Sequence, residues 1–214
     1  MPKMVKIPLI LSIVTLMTSG LLMLSEYLTR DKIEEQKKLL LLKSLVQLIP
    51  AQLHDNDLAE STIIINEQEL LGHRQAQKAY IGRLNGKLSV VAIPVTSRLG
   101  YSGDIDLIVG IKVNGDITTV KILEQHETPG LGDLILPNKS DWLMQFPNQS
   151  LNKLSTQQWQ VKRDGGNFDQ ITGATITPRA VVNAVKQSLE YFENNKALFE
   201  QDSLAPQMLG TNHE

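Results

Sequence analysis

Residues 79–95 read AYIGRL-NG-KLSVVAIPV, and residues 105–123 read IDLIVGIKV-NG-DITTVKIL. Each is a pair of apolar, β-branched runs about an Asn-Gly dipeptide, the strongest short-range signature of a β-hairpin. Partial alternation in both predicts an antiparallel sheet with one face buried. No fixed period continues past the second hairpin, so a repeat architecture is excluded. Upstream, residues 62–66 form a further short strand candidate, and residues 157–163 are a possible edge strand downstream. Residues 141–146 suggest a short helix. From Arg179 to about Phe199, the residues Ala180, Val181, Ala184, Val185, Leu189, Tyr191 and Phe192 recur at helical spacing. The expected fold class is α+β, an antiparallel sheet with flanking helices.

Outside this core the main break in composition lies at the N-terminus. Residues 7–24, IPLILSIVTLMTSGLLML, carry no charge. As a helix they would be about 27 Å long against roughly 30 Å of bilayer hydrocarbon, adequate with Lys6 and Tyr27 at the two interfaces. A cleaved signal peptide is the rival reading. The apolar run is long for one, and no small-residue cleavage site follows it. An uncleaved single-span anchor is therefore expected. The short arm before it holds Lys3 and Lys6 and no acid, which favours a cytoplasmic arm and a globular part outside. The expected organisation is an arm and anchor over 1–25, a juxtamembrane helix over 26–50, a folded domain over 51–202 and a flexible tail over 203–214.

Net charge is −2 over 214 residues with acids and bases interspersed, so no basic patch invites nucleic acid. Cysteine is absent, which excludes disulfides, thiolate metal sites, iron–sulfur ligation and a cysteine nucleophile in this chain. His54, His73, His126 and His213 have no metal-ligand spacing. Phosphate-loop and dinucleotide glycine fingerprints are missing. His126 and Glu127 are adjacent, and neighbours on a strand point to opposite faces, so they make a poor acid–base pair.

Three stretches remain. Residues 169–178 read DQITGATITP and open the last helix. Thr177 is a ready N-cap and Pro178 suits a first helical turn. The same stretch also lies where free N–H groups and the helix dipole favour an anion such as phosphate. A capped helix start and an anion site are both open on these residues alone. Residues 98–103, RLGYSG, and 125–133, QHETPGLGD, are glycine-punctuated loops at strand ends, where backbone can approach a ligand closely.

DQITGAT resembles the flavinylation motif D-x-x-[S/T]-G-A-T of membrane-anchored FMN-binding domains. With GYSG (100–103) and ETPGLG (127–132) in the same order behind one anchor, residues 5 to 200 or so resemble the G subunit of the Rnf-type electron-transport complexes. The C subunit of the sodium-pumping NADH:quinone oxidoreductase is similar in motif but usually longer. The resemblance implies FMN joined covalently through its phosphate to Thr175, put there from FAD by a flavin transferase with a divalent metal. Thr172, Gly173, Ala174 and Thr177 would surround the attachment point, with Thr177 also left the capping role. Tyr101, Glu127, Thr128, Gly130 and Leu131 would lie around the flavin, and Asp169 would be read by the transferase. Asp133 is given no role, and Trp142 is taken as an ordinary core or surface tryptophan.

The function so implied is an electron relay within a bacterial inner-membrane complex that couples electron transfer to ion movement. Its partners would be other membrane and peripheral subunits, the transferase and lipid, with no nucleic acid. The alternatives are a C-type subunit of the sodium-pumping complex or a membrane-anchored binding or assembly module without flavin. No complete catalytic constellation is visible in this chain alone.

Overall fold

The computed structural model describes residues 11–23, 25–30, 32 and 48–201. The chain forms two compact units, Met1–Lys43 and Ser44–Glu214. In the first, helix α1 (Leu11–Arg30) has a mean hydropathy of 1.5 and is long and apolar enough to cross a membrane. The hydroxyls of Thr15 and Thr18 donate to the carbonyls of Leu11 and Val14, at 2.8 and 3.0 Å. Bonding back onto its own helix spares a hydroxyl from standing unpaired in lipid. Most of the helix expected over 26–50, the arm before residue 11 and the tail expected from 203 lie outside the described residues.

The second unit is built on a five-stranded antiparallel meander. Strands β1 (Thr62–Ile65), β2 (Gln77–Leu84), β3 (Lys87–Ser97), β4 (Ile105–Lys112) and β5 (Ile117–Glu124) pair in that order. The first hairpin turns as its dipeptide demands, with Asn85 and Gly86 both at positive φ, +52° and +75°. At the second turn only Gly115 is left-handed, at φ +86°. Gly115 N–H bonds to Lys112 O and Lys112 N–H to Asp116 O, both at 2.8 Å, so this loop is the longer, bulged kind. The Asn114 side chain accepts the Asp116 N–H at 3.1 Å, which favours that shape over a two-residue turn.

Both faces of the sheet are buried, not one. On the first, Ile81, Val91, Ile93, Val95, Leu107 and Val109 pack beneath helix α2 (Ile176–Asn194). That helix contributes Ala180, Val181, Ala184, Val185, Leu189 and Phe192, the stripe its spacing predicts. On the second face Val90, Ala92 and Ile108 have no solvent exposure. The segment entering at Leu48 lies on it, with Leu48 O accepting the Thr118 hydroxyl at 2.8 Å. A Cβ at Gly82 would stand 3.4 Å from Ile49, and one at Gly110 only 2.1 Å from Thr118 Oγ1, so both glycines make room for that layer. The continuous run VVAIPV in β3 is the signature of a strand covered on both sides. Each such side chain contributes about 1.5–3 kcal/mol on burial.

Two further expectations change. Residues 157–163 are not an edge strand. Two 3-10 turns, Thr156–Gln158 and Lys162–Asp164, flank a single parallel bridge between Val161 and Phe168. The helix expected to reach Phe199 stops at Asn194. The N–H and side-chain amide of Asn195 both donate to Tyr191 O at 3.0 Å, and a separate helix α3 (Lys196–Glu200) follows. The 3-10 turn Trp142–Gln145 fulfils the short helix expected there.

What positions the functional stretches is one end of the sheet. Ser97 pairs with Ile105 and Asp106 with Glu124, so the β3–β4 loop and the chain leaving β5 emerge together. Ser97 Oγ donates to Ala180 O at 3.0 Å, tying the start of α2 to the same end.

Candidate functional site

Residues 171–174 form a tight turn. Ala174 N–H reaches Ile171 O at 3.1 Å and Gly173, its third residue, has φ +84°. That position of a type II turn requires positive φ, which is why glycine stands there. The chain enters α2 directly afterwards. Thr175 is the N-cap residue but makes no side-chain capping bond, and it is half-buried. Thr172 and Gly173 are exposed and Ala174 is half-buried.

Thr177 does not cap the helix. It is the second residue inside α2, buried, and its hydroxyl donates to Glu127 Oε2. Pro178 does lie in the first turn, as expected.

Upstream, the backbone of Asp169 is held from both sides. Trp142 Nε1–H donates to Asp169 O, and Asp169 N–H donates to Gln145 Oε1, both at 2.7 Å. Gln145 Nε2 donates in turn to Trp142 O at 2.8 Å, which fixes the amide's orientation. Trp142 is thus a core residue that also anchors the turn carrying Thr175. It begins an aromatic chain of Trp142, Phe146, Phe168 and Trp159 whose ring centroids lie 4.8 to 5.4 Å apart. The Asp169 carboxylate itself faces solvent, 2.5 Å from Lys162 Nζ.

Glu127 is the node of the site. Only 4 % exposed, it accepts the Ser102 N–H on Oε1 at 2.9 Å and the Thr177 hydroxyl on Oε2. Its own N–H donates to Gln125 Oε1 at 2.6 Å. The glycines of both loops are shaped about this carboxylate. A Cβ at Gly132 would stand 2.9 Å from Oε2 and 2.8 Å from Thr177 Oγ1; one at Gly100 would stand 3.1 Å from Oε1 and 2.1 Å from Gly103 O. His126 turns away to Glu124, at 3.9 Å, and forms no pair with its neighbour.

The loop after Glu127 closes on itself. Thr128 O accepts the N–H groups of Leu131 and Asp133, at 3.1 and 3.4 Å, and Gly130 has φ +77°. Gly130 N–H donates to Asp133 Oδ1 at 2.6 Å, and Lys139 lies 3.7 Å from Oδ2. Asp133, to which the sequence assigns nothing, is therefore buried and holds the loop; the signal for it is the glycine three residues before a carboxylate. The loop presents Leu131 outward. A Cβ at Gly173 would come within 2.8 Å of Leu131 Cδ2, so the two stretches touch. Leu131, Ile176 and Tyr101 are all exposed, Tyr101 by 72 %.

Thr172, Gly173, Ala174, Thr175, Thr177, Glu127 and Leu131 are thus brought together. Thr128 and Gly130 shape the loop, and Tyr101 sits beside Ser102 on the third segment. These features suit a phosphate-linked aromatic group: an uncapped hydroxyl at a helix N-terminus, beside exposed apolar side chains. Among the described residues no group of His, Asp or Glu has the arrangement of a metal site.

Comparison with known proteins gives a consistent picture. Residues 100–190 match the model of the FMN-binding domain family. The chain is 45% identical over 194 residues to the G subunit of an ion-translocating oxidoreductase complex from Vibrio atlanticus, covering 90% of this chain and 92% of that one. It is 44% identical over 180 residues to the corresponding G subunit of a Haemophilus influenzae strain, covering 82% and 83%. A crystal structure of Shewanella oneidensis NqrC aligns over 68% of this chain and 74% of its own, with 22% identity and a TM-score of 0.46. On the extent and identity of the matches to whole subunits, the chain belongs to the family of G subunits of ion-translocating oxidoreductase complexes.

Proposed function

We propose that this chain is the electron-carrier subunit of a membrane-bound, ion-translocating oxidoreductase complex, with FMN attached by a phosphoester to Thr175. The observation that carries the acceptor assignment is the Thr175 hydroxyl. It stands at the N-terminus of a long helix, makes no capping bond, and follows a turn whose Thr172 and Gly173 face solvent. Thr177, the other hydroxyl beside it, is buried and already committed to Glu127.

Attachment balances as a transfer from FAD delivered by a flavin transferase. Thr175 Oγ forms a bond to the flavin-side phosphorus, the bond from that phosphorus to the AMP oxygen breaks, AMP leaves, and the hydroxyl proton passes to a base of the transferase. The N–H groups of Ile176 and Thr177 at the start of α2 favour the resulting phosphodiester charge, while Pro178 contributes none. Bound FMN supplies one- and two-electron transfer. Leu131, Ile176 and Tyr101 offer apolar cover for its ring, and the solvent-facing Asp169 carboxylate is available for the transferase to read. Helix α1 anchors the chain in the bacterial inner membrane by a single pass, with the globular unit on the outer side. Electrons come from and go to other subunits, because a chain without cysteine holds no iron–sulfur cluster.

The test is intact mass with peptide mapping of the full-length protein made in a host containing the transferase. The expected result is the added mass of FMN on the peptide bearing Thr175, retained after denaturation, lost in Thr175→Ala and kept in Thr172→Ala. A colourless wild-type protein of unmodified mass would point to a binding or assembly module. Full flavin content in Thr175→Ala would overturn the acceptor assignment.

A further inference from the structure

The three stretches that resemble flavoprotein motifs meet at Glu127, whose carboxylate is turned to the protein itself. It is buried, and both its oxygens are occupied by donors from the protein itself. We infer that Glu127 is a positioning residue for the acceptor hydroxyl. By holding Ser102 and Thr177 on its two oxygens, it sets the first turn of α2, and so Thr175, against the loops carrying Tyr101 and Leu131. The inference rests on the reading of Thr175 as the flavin acceptor.

The geometry gives three reasons. Ser102 N–H and the Thr177 hydroxyl are both donors in this arrangement, so the node needs an acceptor at each oxygen, as a carboxylate provides and an amide does not. Thr177 stands two residues after Thr175, so a shift of its side chain moves the acceptor's backbone directly. The absence of a Cβ at Gly100 and at Gly132 leaves room for Glu127, which turns two apparent ligand-approach glycines into parts of one internal clamp. Transfer to Thr175 Oγ needs that oxygen in line with the breaking bond from phosphorus to AMP, and a loosened turn lowers the rate of the step more than it lowers binding of the protein to the transferase.

The experiment uses full-length protein in detergent, made without the transferase, then incubated with purified transferase, FAD and magnesium, with AMP release and intact mass as readouts. Four variants are compared: Thr177→Ser, Glu127→Gln, Thr177→Val and Glu127→Ala. Near-ultraviolet circular dichroism reports the folded fraction of each. Thr177→Ser keeps the donor and is expected within about twofold of wild type, whereas Thr177→Val is expected to lose about tenfold or more in kcat with KM unchanged. Glu127→Gln keeps the Ser102 contact and falls between them. Glu127→Ala is the most severe and the one prone to unfold, so the decision rests on the other three. Wild-type kcat in Thr177→Val and Glu127→Gln would overturn the inference, as would losses that merely follow the folded fraction. Failure of the wild type to take FMN, or its uptake by Thr175→Ala, would instead remove the reading beneath it, and the inference with it.

Discussion

The first turn of α2 has two sides made from similar chemistry with opposite settings. On the inner side, Thr177 and Ser102 converge on the buried Glu127, with Gly100 and Gly132 packed around it. On the outer side, Arg179 forms a two-pronged bond to Asp164 at 2.6 Å for each arm, and Lys162 pairs with Asp169, both in water. A carboxylate takes hydrogen bonds in every case. Burial decides what each is worth. Inside, a lost acceptor strands the buried Thr177 hydroxyl, whereas outside, water replaces whichever partner is removed. The turn is therefore held from within and left open to solvent without.

Mutation breaks this contrast in a definite order. Glu127→Ala leaves the buried Thr177 hydroxyl and the part-buried Ser102 N–H without their acceptor and is expected to lower the unfolding free energy by about 3 kcal/mol, seen as a fall in the urea midpoint at unchanged slope. Gly132→Ala drives a methyl against Glu127 and Thr177 and is expected to cost about 1–3 kcal/mol. Combined with Glu127→Ala it should cost somewhat less than the sum of the two, because Glu127 Oε2, one of the three atoms the methyl strikes, is gone while Glu127 Cβ and Thr177 Oγ1 stay; simple additivity in a double-mutant cycle would show that the two do not share a clamp.

Acid provides a subtler probe of the buried class. His73 is fully buried, with Nε2 at 2.9 Å from Pro94 O and Nδ1 at 3.4 Å from the Glu67 N–H. This suits the neutral ring protonated on Nε2. Burial lowers its pKa below the ordinary 6.5, against smaller opposing contributions from hydrogen bonding to Pro94 and from the charges of Glu67 and Asp106. The unfolded chain thus binds a proton that the folded one refuses, so stability falls as pH drops from about 6.5 towards the depressed folded value. Thermal unfolding midpoints measured across that range should decline, and His73→Gln should flatten the decline.

The smallest effect belongs to the outer side. Arg179 holds the Asp164 carboxyl below the usual range, so the pair's contribution is present at neutral pH and lost as pH falls through that lowered value. Asp164→Asn should move the neutral-pH midpoint only slightly, and added salt should erase even that. A large, salt-independent loss would mean that this side is clamped as the inner side is.

The sheet was legible because two Asn-Gly dipeptides sit between runs of Val and Ile, and α2 because its apolar residues recur at helical spacing. Local chemistry also misled. Trp159 and Val161 alternate with polar neighbours as a strand would, but they are buried against Phe168 and the helix, and no neighbouring strand offers a ladder. Alternation records which side chains are buried, not what the backbone pairs with. At the site, the turn before α2 and the two glycine loops could be read from their residues. Thr177's partner could not, since it lies fifty residues earlier and the local pattern Thr-Pro already had a sufficient explanation as a cap. Glycine was similarly ambiguous, because a bare Cα facing a ligand and one facing a buried carboxylate look alike in a string of letters.

The segment at Leu48 has a consequence for where damage to the sheet is felt. It joins the sheet through the Thr118 hydroxyl on the face away from α2, and Gly110 and Gly82 are bare to admit the layer it belongs to. A methyl added at Gly110 would meet Thr118 Oγ1 and Leu48 O, and one at Gly82 the side chains of Val90, His54 and Ile49, so a substitution in these strands is felt on that face. The clamp at Glu127 hangs from the ends of those strands, beneath the opposite layer. The sheet stands between the two, so crowding at Leu48 is kept from the turn bearing Thr175.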